Sequence, residues 1–146
     1  MLQKLGWIFG VVFLLVGIAG FIPGLASGGM LLGIFMVDTL HNIIHLLSGA
    51  LAIAAVWGSG AYARLYFQVF GVVYGLVTIL GFVGGGSVLG IIMVNMADNV
   101  LHLVIAAVAL WAGFMMKGSS MSMPSSMSSG TPSGMGSQPM SGQGSM

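Results

Sequence analysis

Two sets of polar residues stand out in a chain that is otherwise nearly devoid of them. Asp38, His41, Asn42 and His45 form the first, and Asn95, Asp98, Asn99 and His102 the second. In both, the spacing is i, i+3, i+4, i+7, which on a helix puts all four side chains on one face. His41 and His45, at i and i+4, have the separation that lets two imidazoles grip one ion from a single helix. With His102 and Asp98 they make a three-nitrogen, one-oxygen set suited to zinc, or to copper(II) in a flatter geometry. The plainer chemistry is hydrogen bonding. Asp38 and Asn95 sit where helix N-caps belong, and Asp98 occupies the acidic slot of a capping box, where the helix dipole also favours it. Histidine and asparagine side chains also bond between helices, at about 0.6 kcal/mol a pair, and such interhelical contacts are their commonest use. Proton relay is a third use. It needs a continuous polar path, and beyond the two sets only Gln68, Tyr74 and Thr78 line the third apolar run.

The elements that carry these sets follow from composition. Of 146 residues, 58% are apolar and 3% charged, the charged ones being Lys4, Asp38, Arg64, Asp98 and Lys117. A soluble domain carries about a quarter charged residues to hydrate its surface, so a soluble enzyme is excluded. Three basic residues make no phosphate-binding stripe, which excludes a nucleic-acid partner. With no cysteine there is no disulfide, thiolate ligand or thiol nucleophile. An integral membrane protein remains, its first partner the lipid bilayer. A helix needs roughly 20 apolar residues to cross the bilayer core. Four runs qualify: 5–22, 40–57, 65–83 and 96–116. The fold class expected is all-α, with four transmembrane helices and no strands, since lipid tolerates only helices or closed barrels.

The halves of the chain echo each other. Phe9-Gly10-Val11-Val12 returns as Phe70-Gly71-Val72-Val73, and Leu32-Gly33-Ile34 returns as Leu89-Gly90-Ile91. The second shift is shorter than the first by four. It also carries Asn42 onto Asn99 and His45-Leu46 onto His102-Leu103, so the slip falls near Pro23 to Gly29. The expected domain is 1–116, built as a tandem parallel duplication of a two-helix unit (repeat 1 about 5–58, repeat 2 about 63–115). Lys4, the apolar run and Gly24-Leu25-Ala26 mimic a signal peptide. The repeat argues for a retained helix instead, because its second copy cannot be a cleaved leader. A pseudo-twofold axis along the membrane normal would bring His45 near His102 and His41 near Asp98.

Lys4, Arg64 and Lys117 fall on one side of this arrangement, with Trp7, Trp57, Tyr62 and Trp111 toward the same face. The positive-inside rule then puts both termini in the cytoplasm. On the opposite face, the Gly-rich connections 23–37 and 84–94 are too short to span and are expected to lie in the membrane interface or to dip under the headgroups. Gly6-x-x-x-Gly10 and Gly71-x-x-x-Gly75 point to close helix packing, with the first and third helices crossing at Gly10 and Gly71, and homodimerisation as the alternative. Residues 117–146 are rich in Ser, Gly, Met and Pro with no charge after Lys117, a tail expected to be disordered. Its Met121, Met123 and Met127 are soft copper(I) donors by type, but low-complexity drift is the plainer origin of that pattern.

Three segments carry a family likeness: Leu40-His41-Asn42-Ile43-Ile44-His45-Leu46-Leu47, Ala63-Arg64-Leu65-Tyr66 with Phe70-Gly71-Val72-Val73-Tyr74-Gly75, and Ala97-Asp98-Asn99-Val100-Leu101-His102-Leu103. They resemble small four-helix bacterial integral membrane proteins classed as a domain of unknown function, over about residues 5–115. The resemblance implies the four-helix fold and a bacterial inner (cytoplasmic) membrane location, and brings no activity, catalytic residue or cofactor with it.

No enzyme is expected, because the chain has no Glu, no Cys and no phosphate loop. The first functional expectation is a non-enzymatic structural or accessory membrane subunit, meeting other membrane proteins or itself. The alternative is a metal-binding or metal-translocating membrane protein using His41, His45, Asp98 and His102.

Overall fold

The apolar runs fold as helices because no proline inside them interrupts the backbone ladder. The computed structural model describes residues 1–116; the tail from Lys117 onward, with its methionines, lies outside the described residues. Helix α1 covers Leu2–Ala19, α2 Thr39–Val56, α3 Ala63–Val83 and α4 Met96–Leu110, which continues as a π-helical turn over Trp111–Met115. Among the described residues four helices, of 18, 18, 21 and 20 residues counting that turn with α4, are long and apolar enough to cross a membrane. Their outward faces are leucine, isoleucine, valine and phenylalanine, while His41, Asn42, His45, Asp98, Asn99 and His102 are buried.

The helices pack as two sequential pairs, α1 with α2 and α3 with α4. Glycine sets the closeness within each pair. A Cβ on Gly10 would fall 3.2 Å from the Gly49 carbonyl of α2, and one on Gly71 2.8 Å from the Leu110 amide of α4. This corrects the expected crossing of the first and third helices at those glycines. The seam between α1 and α3 is filled by aromatic rings instead. Phe9 meets Phe67 at 5.2 Å, and Phe13 meets Phe70 at 5.2 Å and Tyr74 at 5.5 Å between ring centroids. Six-membered rings hold two helices apart, whereas glycines draw them together, so each helix turns its glycine face to its chain neighbour.

The polar ends of the pairs are closed in matching ways. Gln3 donates from Nε2 to the carbonyls of Val56 (3.0 Å) and Gly58 (2.7 Å) at the end of α2. Arg64, the counterpart of Gln3 under the shift that carries Phe9 onto Phe70, donates to the Met116 carbonyl after α4. Both satisfy carbonyls that a helix end leaves without intrahelical partners. Gln68 reaches Gly113 O at 3.1 Å, on the π-helical turn.

The connections opposite hold strands, which correct the expectation of a strand-free chain. β1 (Ala26–Ser27), β2 (Met30–Leu31) and β3 (Phe35–Met36) form a three-stranded antiparallel ribbon; β4 (Ser87–Val88) and β5 (Ile92–Met93) form a two-stranded one. Met30 pairs with Met36, and Ser87 with Met93. Two-residue strands are too short to show alternation; β1–β2 turns on Gly28 and Gly29, while β2–β3 and β4–β5 each turn on a leucine where asparagine would be the usual signal. Leu32 and Gly33 have φ of 54° and 70°, and Leu89 and Gly90 have 53° and 72°, the positive pair of a type I′ turn. Gly29 O and Gly86 O accept from Val37 N and Val94 N in the same way. These recurring features follow the shift that carries Asn42 onto Asn99. They place the extra residues of the first connection before Gly28, in the segment that supplies β1.

Left-handed backbone costs a leucine about 1 kcal/mol or more. Leu89 is exposed, so Leu89→Asn, which tolerates that conformation, is expected to raise stability by about 1 kcal/mol in thermal melts. A lower midpoint by circular dichroism would show that the leucine side chain does something its exposure conceals.

Candidate functional site

The two polar sets lie at the N-terminal ends of α2 and α4, beneath the ribbons. Asp38 caps α2, its Oδ1 accepting from His41 N at 2.8 Å. Asn95 caps α4 in a full capping box: Asn95 Oδ1 accepts from Asp98 N at 3.0 Å, and Asp98 Oδ2 accepts from Asn95 N at 2.9 Å. These local bonds fix the first turn of each helix, and with it the direction of the side chains one turn on.

Each carboxylate also crosses to the other half. Asp38 Oδ2 accepts from Met93 N at 2.6 Å, and Asp98 Oδ2 from Met36 N at 2.9 Å. Asn95 Nδ2 donates to Ile34 O at 2.7 Å. The ribbon of one half is thus pinned to the helix start of the other. Desolvation raises the Asp38 pKa, but the backbone N–H groups of His41 and Met93, with His41 nearby and Leu40 N–H, outweigh it and hold the carboxyl below its ordinary value of 3.8. A lowered acid pKa stabilises the fold fully above the ordinary value and loses that contribution as pH falls below it. Asp38→Asn is expected to flatten the stability profile below pH 3.8, and an unchanged acid limb in thermal melts would refute the assignment.

One turn further in, His41, His45 and His102 converge. Ring centroids lie 4.6 Å apart for His41 and His45, 5.6 Å for His41 and His102, and 6.0 Å for His45 and His102. One ring nitrogen from each lies within 4.8 Å of one from each of the others. None of the three residues is more than 7% exposed. His41 Nδ1 lies 3.2 Å from Met93 O, and since a carbonyl only accepts, Nδ1 carries the proton there. Its Nε2 is then a lone-pair nitrogen, buried without a partner among the described residues, as are Nδ1 of His45 and Nδ1 of His102. A histidine whose far N–H is held by a backbone carbonyl is the usual arrangement behind a metal-ligating imidazole. Phe13 packs edge-on against His45, and Tyr74 against His102. Below them, Tyr74 Oη and Ser48 Oγ share a hydrogen bond at 2.9 Å.

The eight residues singled out by spacing therefore divide by task. Asp38, Asn95 and Asp98 cap helices and tie the halves together, and Asp98 stands outside the group of converging ligand nitrogens. Asn42 and Asn99 seat their amides against Gly20 and Gly81, where a Cβ would collide with them, and Oδ1 of each is buried without a partner among the described residues. His41, His45 and His102 form the centre. Sequence reasoning missed the two backbone donors, Met36 N and Met93 N, and the Phe13 and Tyr74 walls. The walls had a signal, since the shift that carries Phe9 onto Phe70 also carries Phe13 onto Tyr74.

A family model for a domain of unknown function (DUF4383) matches residues 3–115. Neither the curated proteins nor the solved structures contain a match.

Proposed function

The chain belongs to the DUF4383 family, and we propose for it the role of a non-enzymatic, multi-pass membrane protein that holds a divalent transition-metal ion of the zinc type on His41, His45 and His102. The observation that carries this reading is the convergence of three buried imidazoles, each with a buried ring nitrogen that has no partner among the described residues. Hydrogen-bond glue would pair those nitrogens, and leaving a buried polar atom unpaired costs about 1–3 kcal/mol. An ion where the rings converge would take one nitrogen from each, and three histidines are a known zinc ligand set. Charge favours a divalent ion: the histidines are neutral ligands, while Asp38 and Asp98 stand close by with two negative charges to offset two positive ones.

Membrane insertion is supported by the apolar outward faces around a polar interior, the distribution expected where lipid is the solvent. Tandem duplication is supported by the matching turns, caps and ribbon registers of the two halves. Lys4 lies beside Gln3, and Gln3 and Arg64 close helix ends on the side away from the ribbons, which favours a cytoplasmic location for that side, in a bacterial inner membrane.

The test is elemental analysis of untagged protein purified in mild detergent, beside a His41→Ala/His45→Ala/His102→Ala variant. About one zinc or copper per chain is expected in the wild type, with none in the folded variant. A wild type that stays metal-free after incubation with zinc overturns the metal reading. A variant that then melts lower would leave a structural or accessory membrane subunit.

A further inference from the structure

A cavity of about 280 Å³ opens beside the histidine centre, between α1 and α4 and under the first ribbon. His45 and His102 form part of its wall, while His41 does not border it. Most of the rest is apolar, including Val16, Phe35, Leu101 and Ile105. The one carboxylate on its border, Asp98, already accepts from two backbone N–H groups. Three protein nitrogens leave a tetrahedral ion one position short, and catalytic or ligand-binding zinc sites keep that position for an outside molecule. An ion held where the three rings converge would be bound by two residues, His45 and His102, that also line this chamber.

We infer that the open coordination position faces the chamber and takes a small uncharged molecule, one nitrogen or oxygen donor atom on an apolar body, that enters from the lipid side between α1 and α4. This rests on the metal reading above. The chamber is larger than the ~150 Å³ apolar cavity that stays dry and binds benzene in an engineered protein. Its walls offer an anion no hydrogen-bond donor beyond the histidines, and Asp98 repels one. An uncharged donor meets neither penalty.

Cobalt(II) replaces zinc in such sites and reports its coordination in visible absorption. Protein loaded with cobalt in detergent is titrated with pyridine and, separately, with azide. Pyridine is expected to change the spectrum at a concentration about tenfold or more below azide. Val16→Phe and Ile105→Phe, which fill the chamber from α1 and from α4, are expected to keep one cobalt per chain and to need about tenfold more pyridine. Azide binding as well as pyridine overturns the inference, and so does a wild-type response in both filled variants. Cobalt bound with no response to either ligand refutes the open position and leaves the metal reading standing. Failure of cobalt to bind refutes both.

Discussion

Gly49→Leu is expected to cost about 3 kcal/mol or more and to separate the first helix pair. A Cβ at Gly49 would lie 2.8 Å from Gly10 O and 2.8 Å from Leu14 N. Both are backbone atoms of α1, so no side-chain rotation relieves the collision, and the two helices must move apart along the seam. Moving them lifts α2, and with it His41 and His45, away from His102. The loss is therefore expected twice, in the midpoint of sodium dodecyl sulfate unfolding followed by circular dichroism and in bound metal. Gly75→Ala supplies the contrast. Nothing lies within 4 Å of a Cβ there, so only helix propensity changes, and the variant is expected to gain up to about 1 kcal/mol. Equal midpoints for the two variants would show that glycine does not set the interhelical distance.

Asp98→Ala is expected to have the second largest effect, about 2 kcal/mol, by the cost of stranding two part-buried backbone donors. Asp98 is 3% exposed, and its Oδ2 is the acceptor for Asn95 N and Met36 N. Removing it strands two backbone donors near the centre, at about 1–3 kcal/mol each, and unpins the first ribbon from α4. Asp98→Asn keeps an oxygen in the same place but gives up the charge that makes such bonds roughly twice as strong, so a loss of about 1 kcal/mol is expected. Amide hydrogen exchange gives a local reading: Met36 N–H should lose protection in Asp98→Ala and keep most of it in Asp98→Asn. Unchanged exchange at Met36 would sink the cross-half assignment. Asp98→Asn is also expected to weaken zinc binding, because it removes one of two charges offsetting the ion.

Much of this fold is legible in the sequence because each main feature is encoded locally. The apolar runs read as 40–57, 65–83 and 96–116 appear as Thr39–Val56, Ala63–Val83 and Met96–Met115, since run length and charge alone define them. The run read as 5–22 appears as Leu2–Ala19. Its boundaries shifted because Gln3 and Lys4 are tolerated at a helix start, and because the chain turns at Gly20 although Phe21 and Ile22 are apolar. The caps at Asp38 and Asn95 were readable from residue type and position, with Asp98 three residues on completing the box. The ribbons were not readable, because two-residue strands show no alternation, and the β2–β3 and β4–β5 turns need positive φ at Leu32 and Leu89, which no propensity favours.

By itself, the sequence determined where the helices run, where two of them start, and that eight polar residues share two equivalent helix faces. Those properties need only residue type and the 3.6-residue period. The tertiary structure decided which faces meet. Glycines drew sequential helices together while phenylalanines spaced α1 from α3, and that packing brought three histidines from two distant segments into one buried group. The same packing carried Asp98, whose bond to the Asn95 amide is local, onto the backbone amide of Met36 in the other half. Spacing along one helix cannot choose among partners on another; only the distance between helices does.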